Sequence, residues 1–246
     1  MTIRPTRLRG AVAVLAASWL VAAALAAPAA AVSPAVSPAV RAERIHEHVP
    51  ERVAGPSAPV VLGGDPIYSS SGRCTLGFNL RKGDTYFFLS AGHCVKSATS
   101  WYADRELTQL LGHSSGSSFP GDDYGIVKYV STPGDTRGGV RVGGEFHDIT
   151  GAMSPTVGQQ VTGLGGTSGA TTGTVTALNV TVNNQEGAVT GLIRTTLCVQ
   201  PGDSGAPVFA GSRAIGIIVG GTCSSGGTAY VQPIAEPLQA YGLEIY

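Results

Sequence analysis

From residue 61 onward, the chain consists of short apolar segments separated by turn residues. Two of these segments, Thr75–Leu80 and Thr85–Ser90, flank the turn-forming stretch Arg81–Asp84, and this arrangement predicts a β-hairpin. The run Arg213–Val219 has the continuous apolar pattern of a buried strand. Strand signals at such short intervals favour an all-β fold, either a barrel or a sandwich, over a helical or α/β fold.

Helical pattern is almost absent, and the composition agrees with a β protein. Only Ile234–Tyr241 predicts a helix, and Pro237 limits its length. The sequence has 246 residues, of which 35 are glycine and 13% are charged, and its formal net charge is zero. A neutral chain gives no electrostatic reason to expect nucleic acid or an anionic membrane surface as a partner. Composition alone would also suit a secreted carbohydrate-binding module or a secreted structural domain.

The first 31 residues have the pattern of a secretory signal. Three arginines fall among the first nine residues, the apolar run Ala11–Ala26 follows, and small residues occupy Ala27–Ala31. The apolar run has about 16 residues, whereas a membrane-spanning helix needs about 20. We therefore expect a cleaved signal peptide over residues 1–31 and a protein that is secreted to the extracellular space, with no stable membrane association.

Residues 32–60 differ from the rest of the chain in composition. They are rich in Ala, Pro and charged residues, with little strand or helix pattern, and we interpret them as a short propeptide or linker. His46 and His48 could form a metal-binding pair, but we interpret them as part of a solvated charged segment and expect no metal site. The folded domain is then expected over residues 61–246.

Export makes the four cysteines candidates for disulfide bonds. Three pairings are possible, and the local one closes loops of about 20 and 25 residues, each worth roughly 3 kcal/mol in the chain-entropy model. No Cys-x-x-Cys or His-x-x-x-His spacing supports a zinc site instead. We expect the local pairing, Cys74 with Cys94 and Cys198 with Cys223.

Ser204 lies in a glycine-rich turn, directly after Asp203 and shortly before the strand-like run Pro207–Phe209. A serine hydroxyl is a poor nucleophile unless a base accepts its proton. His93 offers that base, since it follows a predicted strand and precedes a cysteine. A carboxylate that could orient the base lies just before the predicted strand Tyr124–Val130. The order His, Asp, Ser is that of chymotrypsin-type triads, whereas α/β-hydrolases have the order Ser, Asp, His.

The stretches around His93, Asp123 and Ser204 together resemble those of the streptogrisins, which are chymotrypsin-fold serine proteases secreted by actinobacteria. The resemblance covers residues 61–246, and the stretches that carry it best are Ser90–Cys94, Asp123–Val127 and Pro201–Gly205. It implies two six-stranded antiparallel β-barrels, over residues 61–135 and 145–246, with the active site between them and a short C-terminal helix. Residues 131–144 have little apolar content and are the candidate connection between the barrels.

The resemblance also implies a role for each site residue. Ser204 would be the nucleophile, His93 the general base, and Asp123 the group that orients His93; ordinary turn or buried residues are the competing interpretation. Asp123 is preferred to Asp122 because the motif of the streptogrisins places the carboxylate immediately before Tyr-Gly-Ile-Val. The backbone N–H groups of Gly202 and Ser204 would form the oxyanion hole. The expected partners are polypeptide substrates and secreted protein inhibitors of proteases, and the expected state is a monomer without a cofactor.

The resemblance points to three stretches as the walls of the primary specificity pocket. They contain no acid to pair with Arg or Lys and no histidine to pair with Glu, so a neutral pocket for large apolar side chains is expected. The predicted substrate-binding residues are Thr196, Leu197, Val219, Gly220, Gly221 and Gly227.

Three positions depart from the pattern of the streptogrisins, and the mildest change is Ala206 in place of the usual glycine. Leu164 stands where an arginine usually pairs with the aspartate beside the nucleophile, and Val219 matches a serine that usually supports the triad aspartate. Asp203 therefore needs another partner: either an amine freed by cleavage before Val61, or nearby backbone N–H groups, water or another residue. These departures keep two alternatives open, a non-catalytic homologue that serves as a binding module and a secreted esterase.

Overall fold

A computed structural model of the protein describes residues 59–134 and 137–246, except for the side chain of residue 225. The expected signal peptide and most of the expected propeptide, with His46 and His48, lie outside the described residues. Within them, no helix is both long and apolar enough to span a membrane. The secondary structure elements are β1 (Pro66–Ser69), β2 (Gly72–Thr75), β3 (Asn79–Lys82), β4 (Thr85–Ser90), α1 (Gly92–Lys96), β5 (Ser100–Tyr102), β6 (Leu110–Ser118), β7 (Tyr124–Tyr129), β8 (Gly139–Val142), β9 (Glu145–Asp148), β10 (Gly151–Ala152), β11 (Gln160–Gly165), β12 (Gly169–Asn184), β13 (Gly187–Thr195), β14 (Pro207–Ala210), β15 (Arg213–Thr222), a 3-10 turn (Ser224–Gly226), β16 (Thr228–Pro233), α2 (Ala235–Tyr241) and β17 (Glu244–Ile245).

An antiparallel sheet, here called the N-terminal sheet, contains β1 to β7 and β17. Its strands are hydrogen-bonded in the order β17-β3-β4-β7-β6-β5-β1-β2. Its own core includes the buried residues Ile67, Phe88, Trp101 and Val127 on these strands, together with Leu76 just after β2. Burial of each such large side chain contributes about 1.5–3 kcal/mol to folding.

The second sheet closes on itself and is called the C-terminal barrel. The strands β11 to β16 form an antiparallel ring, because β15 pairs with β14 on one side and with β16 on the other. β10 joins the outside of this ring by a parallel pairing with β15. The interior is filled by residues such as Val161, Leu197, Val208 and Ile218. The prediction of an all-β fold with a short C-terminal helix is therefore confirmed.

Two details differ from the predicted architecture. The N-terminal sheet has eight strands rather than six, because the short strands β17 and β2 extend its two edges. The connection predicted over residues 131–144 is partly ordered, since β8 pairs with β9 in a separate hairpin. Val140 of this hairpin is fully buried, and the gain from burying an apolar side chain explains why the segment folds onto the protein.

An apolar layer joins the N-terminal sheet to the C-terminal barrel. Phe78 and Leu89 from the first sheet form one buried cluster with Leu164, Phe209 and Ile217 from the barrel. Because this layer fixes the two halves against each other, residues at its rim from both halves can form a single site.

The segment after the barrel returns to the N-terminal sheet. Helix α2 ends at Gly242, whose φ of 62° lies in the left-handed region that favours glycine, and Leu243 N–H donates to Leu238 O at 3.0 Å. The chain then forms β17, which pairs with β3 at Glu244 and Arg81. The edge of the N-terminal sheet is thus made by residues from the far end of the sequence.

Candidate active site

His93 and Asp123 form a hydrogen-bonded pair at the rim of the apolar layer. The Nδ1 atom of His93 lies 2.8 Å from Oδ2 and 3.1 Å from Oδ1 of Asp123, and the backbone N–H of His93 donates to Oδ1 at 2.9 Å. The Asp123 side chain is only 5% exposed, whereas that of His93 is 32% exposed. The carboxylate is thus held inside the protein, and the imidazole reaches solvent.

The local sequence explains how this pair is brought together. β4 runs into the single helical turn α1, which carries His93, while Asp123 comes immediately before β7, the neighbour of β4 in the sheet. The turn can lie against β7 because residue 92 is glycine: a Cβ atom there would be 2.4 Å from Ser118 O and 2.8 Å from Tyr124 N. Gly92 therefore permits the close approach that puts His93 beside Asp123.

Gln232 holds Asp123 from the opposite half of the molecule. Its Oε1 atom accepts a hydrogen bond of 2.7 Å from the backbone N–H of Asp123, and its Nε2 atom donates to Oε2 of Glu236. Gln232 is fully buried, and burial together with the charge of Asp122 raises the pKa of Glu236 above its usual value. Sequence reasoning missed this contact, because nothing in the local pattern of β16 indicates that its glutamine reaches the other sheet.

Ser204 lies in the turn before β14, packed against the N-terminal sheet. Its carbonyl oxygen accepts a hydrogen bond of 2.8 Å from the N–H of Thr75. The next residue must be glycine, since Gly205 has a φ of +90° and a Cβ atom there would lie 2.1 Å from Ser90 Oγ. Ser204 and His93 line the same cavity of about 290 Å³, although no hydrogen bond joins their side chains in the described structure. Such contacts are often long in proteins without substrate and shorten when it binds.

Two backbone N–H groups beside Ser204 are available for a ligand. Among the described residues, the N–H groups of Gly202 and Ser204 donate to no protein acceptor, whereas the intervening Asp203 N–H donates to Gln200 O at 3.0 Å. Buried backbone donors are almost always paired, so a free pair at one turn is typical of a site for an anionic oxygen.

Asp203 finds its partners in the backbone around it. Its Oδ1 atom accepts hydrogen bonds from the N–H groups of Thr167 at 2.8 Å and Ser168 at 3.1 Å, and its Oδ2 atom accepts one from Gln200 N–H at 2.8 Å. Three donors satisfy a carboxylate that is fully buried. This arrangement supports the second alternative for Asp203, nearby backbone groups, over an amine at Val61.

We therefore expect a mature protein that starts at Val61 and one that starts at Pro59 to have equal activity. In the structure Val60 is still attached to Val61, so residue 61 has no free amine, and yet Asp203 already has three donors. Active-site titration and kcat/KM of the two purified forms measure the effect. A loss of most activity in the longer form would show that a free amine at Val61 is needed.

A cavity of about 190 Å³ opens directly beside Ser204. It is lined by Val199, Gln200, Pro201, Asp203, Ser204, Ile218, Gly220 and Gly221. Of the predicted pocket residues, Gly220 and Gly221 thus lie in its wall. Sequence reasoning missed Val199–Pro201 and Ile218, although the former directly precede the Gly202 turn.

The other predicted pocket residues lie elsewhere. Leu197 is fully buried in the core of the C-terminal barrel, where an apolar side chain is most stable, and the hydroxyl of Thr196 accepts a hydrogen bond of 2.9 Å from Thr174 N–H. Gly227 packs against the backbone of both, since a Cβ atom there would be 2.7 Å from Thr196 O. None of these three residues lines the cavity beside Ser204.

Val219 lines a second cavity, of about 350 Å³, on the far side of His93. This cavity also contacts Asp123, Phe119 and the hairpin tip Asn184–Glu186. Valine has no hydrogen-bond donor on its side chain, so the Asp123 carboxylate is held by His93 alone within the described structure. The cavity of about 290 Å³ adjoins both others, since it shares Ser204 with the smaller one and His93 with the larger one, and together the three could hold an extended peptide.

Both disulfide bonds lie next to these cavities. The structure joins Cys74 to Cys94 and Cys198 to Cys223. The first connects β2 to the helical turn that carries His93, and the second connects the segment before Ser204 to the end of β15. Each therefore ties a segment that carries a candidate site residue to a neighbouring strand.

Two packed β-sheet halves with a His–Asp pair and a serine turn at their junction define a chymotrypsin-like protein. The family profile described as Trypsin matches residues 61–239. The chain therefore belongs to the trypsin family.

Curated relatives agree with this assignment. Streptogrisin-D of Streptomyces griseus is 49% identical over 197 residues, which cover 79% of this chain and 50% of that protein, so the match spans only half of its length. Serine protease 2 of Streptomyces fradiae is 46% identical over 174 residues, covering 68% of this chain and 99% of that protein. The resemblance to the streptogrisins is thereby confirmed.

Solved structures give the same result. A glutamic acid-specific serine protease, described as using a histidine triad in substrate binding, is 44% identical with a TM-score of 0.71 and is matched over 76% of this chain and 100% of its own. Thermobifida fusca Protease A is 38% identical with a TM-score of 0.67 and is matched over 76% of this chain and 98% of its own.

Proposed function

We propose that the protein is a secreted serine endopeptidase that hydrolyses peptide bonds through the triad His93, Asp123 and Ser204. The observation that carries this proposal is the His93–Asp123 pair in one cleft with Ser204, whose turn has two unpaired backbone N–H groups. The names of the relatives, serine proteases and streptogrisins, support the same reaction class.

The geometry accounts for each chemical step. The carboxylate of Asp123 accepts the Nδ1–H of His93, so the Nε2 atom of His93 carries a lone pair toward the cleft. His93 Nε2 accepts the hydroxyl proton as Ser204 Oγ attacks the peptide carbonyl carbon, and it then donates that proton to the leaving amine. Water repeats the sequence on the acyl-enzyme. The N–H groups of Gly202 and Ser204 stabilise the oxyanion at each tetrahedral stage, and one such donor is worth about 3 kcal/mol.

The cavity beside Ser204 would accept the side chain on the acyl side of the cleaved bond. The one acid in its lining is Asp203, which is fully buried and whose carboxylate already accepts three backbone hydrogen bonds, so the cavity offers no free carboxylate to a lysine or arginine. No histidine lines it either: among the described histidines, His113 lies beside Ser100 and His147 beside Gly211. This composition supports a preference for large apolar side chains over both basic and glutamate side chains.

The purified protein is therefore expected to cleave peptide anilides with Phe, Tyr or Leu on the acyl side. Substrates with Arg, Lys or Glu there should have a kcat/KM roughly 100-fold lower, because an unpaired charge would be buried in the cavity. Initial rates on a series that differs only at this position measure the preference. A clear preference for Arg, Lys or Glu would contradict this interpretation of the cavity.

One observation favours a second candidate, a non-catalytic homologue that binds peptides. Val219 leaves the Asp123 carboxylate without a donor other than His93, which could weaken the triad. The two candidates are separated by treating the secreted protein with an organophosphate and measuring its mass. One phosphoryl adduct on Ser204 supports the peptidase, and an unmodified protein supports the binding module. The same mass measurement reports whether the signal peptide has been removed, as secretion requires.

A further inference from the structure

A short loop that is not part of the triad contacts the turn that carries Gly202. This loop, Gly166–Ser168, connects β11 to β12 and is called the clamp loop. The hydroxyl of Thr167 donates a hydrogen bond of 3.0 Å to Pro201 O, and a Cβ atom on Gly202 would lie 2.6 Å from Thr167 Oγ1. The clamp loop thus touches the peptide that bears one of the two unpaired N–H groups.

The planarity of the peptide bond makes this contact informative. The Pro201–Gly202 bond is trans, so its C=O and N–H point in opposite directions. A hydrogen bond that fixes Pro201 O therefore also fixes the direction of Gly202 N–H. Gly202 has a φ of +99°, and glycine lacks the Cβ atom that would restrict rotation of this peptide. The sequence of the turn itself does little to hold the peptide, and an outside contact is needed.

We propose that Thr167 is a positioning residue that aims the N–H of Gly202 into the oxyanion hole. The inference rests on the proposed function, since it assigns Gly202 N–H to an oxyanion. Thr167 does not touch the reacting atoms and acts through Pro201 O.

The clamp loop is itself fixed by the N-terminal sheet. The guanidinium of Arg73 donates to Gly166 O, and Gly166 N–H donates to Thr75 Oγ1 at 3.1 Å. Thr75 is fully buried, and its hydroxyl donates to Gly202 O at 2.8 Å. Both carbonyl groups that flank the N–H of Gly202 are thus held by threonine hydroxyls, one of them on the clamp loop. The loop cannot shift without breaking contacts to both halves of the molecule.

The same loop also binds Asp203. The N–H groups of Thr167 and Ser168 donate to its carboxylate. They take the place of the arginine that the pattern of the streptogrisins has at the position of Leu164. One segment therefore satisfies the buried carboxylate and orients the adjacent peptide. Loss of the Thr167 hydroxyl removes only the second function, because both bonds to Asp203 come from backbone groups.

Replacement of Thr167 by valine or serine tests the proposal. Thr167→Val keeps the shape and removes the donor, and Thr167→Ser keeps the donor. Because Thr167 is exposed, both variants should fold. Thr172→Val, at an exposed threonine of β12, is the matched control.

We expect kcat of Thr167→Val to fall about tenfold, the value of one hydrogen bond, with KM and the pH profile unchanged. Thr167→Ser and the control should keep kcat within twofold of the parent protein.

A measurement that does not depend on turnover completes the test. In ¹⁵N-labelled protein, the amide resonance of Gly202 should shift or split in Thr167→Val and remain in place in Thr167→Ser and Thr172→Val. An unchanged Gly202 resonance, or equal kcat in the valine and serine variants, would overturn the role of Thr167. If the parent protein neither turns over substrate nor reacts with an organophosphate, the proposed function fails, and the Gly202 resonance still decides whether Thr167 positions this peptide.

Discussion

Ser204→Ala is expected to remove organophosphate labelling completely and to lower kcat about 10⁶-fold, the loss found when the nucleophile of a serine protease is deleted. The hydroxyl of Ser204 is the only group that the proposed mechanism uses to form the acyl-enzyme. The cavity beside it is lined mainly by other residues, so peptide binding should persist. Burst kinetics and the mass of the adduct measure the loss of chemistry. The dissociation constant of a peptide product analogue without a reactive aldehyde measures peptide binding.

Ser115→Ala is the control for this change, since Ser115 is exposed on β6 in the N-terminal sheet. It should leave labelling and kcat unchanged. If Ser204→Ala kept its labelling, the nucleophile would be another residue. If the parent protein and Ser204→Ala had the same low rate, the non-catalytic alternative would be correct.

Asp123→Asn is expected to lower kcat about 10⁴-fold with little change in stability, by analogy with the chymotrypsin-type triad. The carboxylate of Asp123 accepts the Nδ1–H of His93 at 2.8 Å, and an amide that turns its NH₂ group toward His93 would favour the tautomer with its proton on Nε2. That tautomer cannot accept the proton of Ser204. The loss should appear in kcat at neutral pH for every substrate.

Asp122→Asn provides a matched control at the neighbouring position. Asp122 accepts a hydrogen bond of 3.0 Å from Ser118 Oγ and makes no contact with His93 in the described structure. Its replacement should leave kcat within about twofold of the parent value. If Asp122→Asn were the damaging change and Asp123→Asn harmless, the assignment of the orienting carboxylate would be wrong.

The site residues that lie in short local motifs could be predicted from the sequence. Ser204 and His93 each sit at the end or start of a strand with glycine beside it, and these glycines are needed because Gly92 and Gly205 approach other backbone atoms closely. The glycines in these two motifs therefore indicate, from the sequence alone, where the backbone packs closely around His93 and Ser204. The choice of Asp123 over Asp122 needed the motif of the streptogrisins, because both aspartates lie in the same short loop before β7.

Contacts between distant segments could not be predicted in this way. Leu197 is apolar and follows a strand, which suits a pocket wall and a barrel core equally, and only the closed ring of β11–β16 decides for the core. Gln232 looks like an ordinary polar residue of an edge strand until β16 is placed against the loop of Asp123. The hydrogen-bond donors to Asp203 could not be predicted, because backbone N–H groups have no sequence signature.

The pairing of β17 with β3 links folding kinetics to catalysis. Arg81 and Glu244, which are 163 positions apart, form an ion pair of 2.8 Å across these two strands. Contacts of such high sequence separation require a long loop to close, and they slow folding relative to local pairings. The sheet that carries His93 takes this edge strand from the last residues of the chain. We therefore expect the pairing of β17 to be a late step in folding, on which the completed sheet around His93 depends.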